Sequence, residues 1–103
     1  MDMTEVRRFD QAKVGTIKLS EAIRIGAAIR PQCSRSFFYK GRSCAIGAAY
    51  EGLYGTTDGF SMGLLDSAFP HVHEGIWAQI ITQNDGLRKS REQIADWLKE
   101  QGL

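Results

Sequence analysis

The stretch SCAIGAAYEGLY, residues 43–54, decides how the rest of the chain is read. Ser43 is a helix N-cap residue, and Gly55 just beyond is a helix stop. Between them Ile46, Ala49, Tyr50 and Leu53 recur at helical spacing and make one apolar face. Cys44, Ala48 and Gly52, four apart, make a second face of small residues that lets a neighbour come close. Glu51 is the one charge. A helix that is apolar or small nearly all round is a buried one. Residues 43–54 therefore read as the central helix, with the other elements wrapped around it.

The flanking segments supply those elements. SEAIRIGAAIR, 20–30, reads as a helix capped by Ser20, with Glu21 at its positive end. Its buried stripe is Leu19, Ala22, Ile23, Gly26 and Ile29, and Pro31 disfavours helix at Arg30. On the other side, SMGLLDSAF reads as a short helix through Met62, Leu65 and Phe69, closed by Pro70. IWAQIITQ reads as another, with Ile76, Trp77, Ile80 and Ile81 facing one way, and Asn84-Asp85-Gly86 is a turn signal. The last helix begins at Ser90, where SREQ matches the capping box, and carries Ile94, Trp97 and Leu98 to a stop at Gly102. Trp77 and Trp97, on stripes of successive helices, are expected to pack on each other. QCSRSFFYKGR, 32–42, is a small hairpin near 36–42 or an irregular loop. Residues 1–17 carry neither periodicity nor turn chemistry and read as an extended or poorly ordered segment, with VGTIKL as a candidate short strand. The sum is an all-α or mainly α compact bundle of about five short helices, a single helical domain over 18–103.

Bulk properties agree. A chain of 103 residues, 43% apolar and 24% charged, is of ordinary globular make-up and has room for one core. No run approaches the ~20 apolar residues that span a bilayer, so no membrane contact is expected. The opening MDMTEVRRFDQ lacks the apolar core of a signal peptide, which gives the cytoplasm as the expected location. In that setting Cys33 and Cys44 do not make a disulfide framework. Cys44 is expected to pack as a small hydrophobe, while Cys33, in a polar loop, could be exposed, with nothing nearby to activate it. Charge is uneven. Residues 1–43 hold nine bases and four acids, residues 44–87 no base and five acids, and residues 88–103 four bases and three acids. Such a split either cancels inside the fold or suits self-association or an anionic partner.

No catalytic set is legible. GRSCAIG lacks the Lys-Ser/Thr pair of a phosphate loop, and no nucleophile elbow or Cys-His pattern is present. The expectation is a protein without enzymatic activity and without a cofactor. His71-x-His73 has a spacing that metal sites use, but a zinc site wants four ligands and the cysteines are far away in the chain, so capping or surface roles are expected and no metal. The one segment with binding chemistry is 24–42: Arg24, Arg30, Arg35, Lys40 and Arg42 with no acid among them, and Phe38 and Tyr39 inside the run beside Phe37. Cations that follow a phosphate backbone and aromatics that stack bases suit nucleic acid or another anion. Equally, Phe37 and Phe38 could plug the core while the arginines pair with the acidic middle. The primary functional expectation is a small protein-interaction module, binding a protein partner or a second copy of itself. The alternative is a nucleic-acid-binding regulator using 24–42.

Two resemblances add to this reading. EQIADWL resembles the first helix of bacterial helix-turn-helix proteins, whose second helix reads the major groove. After Leu98 only KEQGL remains, too short for that second helix. The ordered set SEAI-x-x-GA, SCA-x-GAA, FP and REQIADW, over 18–98, resembles a group of small uncharacterised bacterial and phage-associated proteins. That resemblance implies a fold and a bacterial or phage setting, and no activity. The group often carries a Cys-Pro-x-Cys pair where this chain has HVHEG, so no cysteine metal site carries over.

Overall fold

A computed structural model of the chain describes residues 13–103. The expected extended segment 1–17 lies outside the described residues for its first twelve positions. Among the described residues the elements run α1 Leu19–Ala27, β1 Phe38–Tyr39, β2 Arg42–Ser43, α2 Ala45–Tyr54, α3 Met62–Ala68, α4 Glu74–Ile81 and α5 Arg91–Glu100, with a π-helical turn, Thr82–Gly86, continuing α4. The fold is mainly α with one small antiparallel hairpin, as the hydrophobic spacing predicts.

α2 is the hub. Every residue from Ala45 to Leu53 is buried, Glu51 included. The helix starts later than the sequence suggests: Cys44 is the N-cap, its Sγ accepting the Gly47 N–H at 3.4 Å, while Ser43 belongs to β2. At the other end Gly55 takes a left-handed φ of 73° and donates to Glu51 O at 2.8 Å. α1 crosses α2 through small residues. A Cβ on Gly26 would collide with the Ala48 carbonyl, and one on Gly52 with the Ala22 carbonyl. The small ridge read from the sequence is therefore half of a two-sided contact, and Gly26 is the other half.

α5 lays Ile94, Ala95 and Leu98 into the core against α1. Its start is the capping box itself: Ser90 accepts the Gln93 N–H, and the Gln93 side chain accepts the Ser90 N–H. Leu65, Phe69, Val72, Trp77 and Ile80, from α3, α4 and their connector, complete the core.

Several local expectations are corrected. α1 begins at Leu19 with Lys18 at the cap; Ser20 is buried and its N–H donates to Leu103 O at 3.1 Å, which ties down the C-terminus. α1 stops at Ala27, before Arg30, because the chain must turn to bring Gln32 alongside Ser43 in a parallel bridge. Ile29 thereby leaves the stripe and is 50% exposed. VGTIKL is not a strand: residues 13–16 form a turn, with the Thr16 N–H and hydroxyl both on Lys13 O, and Lys13 N–H donates to Leu53 O. Asn84-Asp85-Gly86 does not break the chain; the helix widens there, with Leu87 N–H reaching Thr82 O. The tryptophans do not stack. Trp77 lies against Phe69, ring centroids 6.5 Å apart, while Trp97 lines a surface groove with Leu87. They miss because α5 packs chiefly on α1 and not on α4. Among the described residues no helix is long and apolar enough to cross a membrane.

Candidate functional site

The hairpin is built by its turn. Lys40 and Gly41 both take positive φ, 48° and 75°, the pair of left-handed residues that a tight two-residue hairpin loop requires. Phe38 pairs with Ser43 and Tyr39 with Arg42. Alternation then sends Phe38 and Ser43 inward and Tyr39 and Arg42 outward. Phe60 receives both phenylalanines, with centroids 4.5 Å from Phe37 and 5.6 Å from Phe38. Tyr39 is left 54% exposed, and Lys40 Nζ sits 5.3 Å from its ring centroid.

The basic run divides in two. Arg24 is paired with Asp96 of α5, and Arg30 grips Glu51 with two hydrogen bonds of 2.7 and 2.8 Å. The Glu51 hydrogen bonds hold the Arg30 guanidinium above its ordinary pKa. These two arginines hold helices together, and the unbroken basic stripe expected over 24–42 is not one surface. Arg35, Lys40 and Arg42 remain exposed, with no carboxylate at ion-pair distance among the described residues. Arg42 donates to Gln32 O at 3.4 Å, and Gln32 in turn donates to Lys89 O at 2.9 Å. The Lys89 backbone is thereby tied to the hairpin from the far end of the chain, and no local sequence signal marks that contact.

Beneath the hairpin lies a buried polar network that sequence reasoning missed. Asn84 is 2% exposed. Its Oδ1 accepts the Ala45 N–H at 3.0 Å and Gln32 Nε2 at 2.8 Å; its Nδ2 donates to Cys33 O at 3.0 Å and to Asp85 Oδ1 at 2.8 Å. One amide thus satisfies the first turn of α2, the bridge strand and the loop after it. Asp85 Oδ1 also accepts the Arg35 N–H at 3.0 Å, which holds Arg35 at its left-handed φ of 67°. Arg91 is 5% exposed and donates to Ser43 Oγ and O, Ala27 O and Arg30 O. It neutralises the C-terminal carbonyls of α1, and burial pulls its guanidinium below the usual value.

Between the hairpin arm and α4 a notch of about 120 Å³ opens, lined by Phe37, Cys44, Ile46, Ile80 and Ile81, with Arg35 and Asp85 at its polar margin. Phe37 is 37% and Ile81 43% exposed. Cys33 does not take the exposed position its polar loop allowed; it and Cys44 are both buried, and burial raises both thiol pKa values. His73 caps α4, its Nδ1 accepting the Gly75 N–H at 2.9 Å, and His71 is exposed. Among the described residues no group of three or more metal-ligating side chains comes together. Compared with protein-family models, with curated proteins and with solved structures, the chain gives no match.

Proposed function

We propose that this chain works by binding another protein in the cytoplasm, and that the partner docks where the hairpin arm meets α4. The notch carries this reading. Its floor is apolar, Phe37 and Ile81 stand partly bare at its rim, and a charge of each sign flanks it. An enclosed apolar cavity of ~150 Å³ holds a benzene ring, so a notch of about 120 Å³ suits one aliphatic or small aromatic anchor from a partner. Covering what is still exposed of Phe37 and Ile81 would contribute roughly 0.5–1.3 kcal/mol per side chain. Small apolar anchors inside a polar rim are how such surfaces concentrate their affinity. The rigid network of Asn84 and Asp85 behind the notch supports it as a preformed site.

The test places a photo-crosslinking amino acid at Phe37 or Ile81 in the native host. The expected result is one discrete protein adduct that disappears when the other rim residue is changed to Asp in a folded variant. Absence of any adduct from both positions overturns the reading. Light scattering of the purified chain at rising concentration distinguishes a second copy from a different partner.

Nucleic acid is the second reading, carried by the outer face of the hairpin. Tyr39, Lys40 and Arg42 face solvent together, and Arg35 is exposed on the same arm. About three phosphate contacts predict binding to a single-stranded oligonucleotide that weakens roughly as the second power of salt. Fluorescence anisotropy at ~50 mM salt checks it. Lack of binding there, or binding unchanged in Lys40→Glu/Arg42→Glu, removes it.

A further inference from the structure

We propose that Cys33 and Cys44 are a dithiol oxidation site, whose disulfide closes the segment 34–43 into a ring. The inference does not depend on which ligand the hairpin takes. Sequence gives no hint of it, since the two cysteines are separated by ten residues of polar and aromatic chain. Tertiary pairing brings them together. Gln32 and Ser43 form a parallel bridge, fixed by Ser43 N–H on Pro31 O at 2.9 Å and Cys33 N–H on Ser43 O at 3.0 Å. Cys33 and Cys44 are the next residues on each side. In a parallel register, next-in-line partners project to the same face with backbones about 5 Å apart. That lies within the Cα separation that a disulfide spans. Both side chains belong to the same buried cluster, and the two thiols lie within electrostatic reach of each other.

Burial holds both thiols above their ordinary pKa, and nearby groups offset part of that cost. Arg91 is a buried cation that meets carbonyl and hydroxyl oxygens and no carboxylate among the described residues, and its Nε has no hydrogen-bond partner there. It lies within electrostatic reach of both sulfurs. Cys44 Sγ also receives the Gly47 N–H at the first turn of α2. The loop after Cys33, residues 34–37, is exposed, which gives a reagent its approach to Cys33.

The oxidant is a low-molecular-weight disulfide of the glutathione class. The Cys33 thiolate attacks one of its sulfurs, the small S–S bond breaks, and the leaving thiolate takes up the proton Cys33 released. Cys44, deprotonated in turn, attacks Cys33 Sγ; the mixed bond breaks and the second small thiol leaves with the proton from Cys44. Two protein thiols are oxidised and one small disulfide is reduced to two thiols. The product joins the two ends of the arm that carries Arg35, Phe37, Phe38, Tyr39, Lys40 and Arg42.

The full-length chain is incubated with oxidised glutathione at pH 8, and its intact mass and denatured thiol content are read. The expected product is a monomer lighter by two hydrogens, without free thiols or retained glutathione, with the peptides around 33 and 44 joined. Cys44→Ser, where folded by circular dichroism, should retain one glutathione on Cys33, because the resolving thiol is gone, while Cys33→Ser should retain none, because the accessible nucleophile is gone. Oxidation should also raise the thermal midpoint, on the order of 10 °C for a ring this short. Stable glutathione adducts on the unaltered chain, a disulfide between two chains, or two intact thiols after prolonged incubation at pH 9 would each overturn the proposal. The mass of the unaltered chain decides even if both variants misfold.

Discussion

Arg91 and Asn84 each tie distant segments of this fold together. Each is a polar group placed where water cannot reach, and each answers several backbone groups at once. A buried donor or acceptor that loses its partner costs the full desolvation of that group. Asn84→Ala strands the Ala45 N–H and the Cys33 carbonyl together and leaves the Gln32 amide only Lys89 O. A loss of about 2–4 kcal/mol is expected, read by urea unfolding. Asn84→Asp separates the donor role from the acceptor role: it keeps the Ala45 contact, loses the one to Cys33 O and sets a carboxylate beside Asp85, so it should unfold at lower urea than the native chain. For Arg91→Lys the charge survives but the fork does not. A lysine cannot span Ser43 Oγ and Arg30 O, so the variant should still lose about 1–3 kcal/mol. Stability equal to that of the native chain would show that charge alone, not the fork, is what α1 needs. Neither residue was readable beforehand. Arg91 looks like one more basic residue at a helix start, and Asn84 like half of a turn signal; only their partners, 39 to 64 residues away in sequence, give them work.

At the scale of elements, the informative contact is α1 on α2. Gly26 and Gly52 each face a carbonyl of the opposite helix so closely that a methyl group has no place to go. Backbone, unlike a flexible side chain, cannot step aside. Gly26→Ala and Gly52→Ala should therefore destabilise by about 1–3 kcal/mol or more, despite the higher helix propensity of alanine. Gly63→Ala is the control: in α3 its nearest neighbour is the Ser61 hydroxyl at 3.3 Å, and the change should be close to neutral. A Gly26→Ala chain as stable as the native one would mean that α1 can slide away from α2. The caps make a second, smaller prediction. Ser90→Ala removes one half of the α5 capping box and should cost about 1 kcal/mol in thermal or urea unfolding. These elements were largely legible, because periodicity and capping are local. Legibility failed where a helix end was set by something distant: α1 stops at Ala27 for the sake of the Gln32–Ser43 bridge, and α4 runs on through Asn84 because that amide has four partners waiting.

For the whole molecule, the segregated charge resolves partly into pairs: Arg30 of the basic region meets Glu51 of the acidic one, while Arg24 reaches Asp96 near the C-terminus. Of the cations in 24–42, the exposed remainder, Arg35, Lys40 and Arg42, gathers at the hairpin. Stability should depend on pH through the buried thiols. Burial holds Cys33, Cys44 and the Tyr54 phenol above their ordinary values. As pH rises the unfolded chain sheds these protons first, so it binds fewer than the native state and stability falls. The contribution is intact below about pH 8.5 and declines above it. Thermal midpoints measured under reducing conditions at pH 7 and 9.5 should show the drop. A flat profile would mean the thiols are in contact with water.

Local spacing carried the helical class, a buried hub read as 43–54, the small-residue ridge and the α5 cap, because each follows from residues within a few turns of chain. It also marked the aromatic basic segment, without showing which of its cations were already taken. Only long-range packing sets Arg24 and Arg30 into ion pairs, ties the Lys89 backbone to Gln32, brings the two cysteines next to one bridge, and opens a notch between Phe37 and Ile81. All four are pairings across long stretches of chain, set by which surfaces close on one another, and the order of residues along one segment does not encode them.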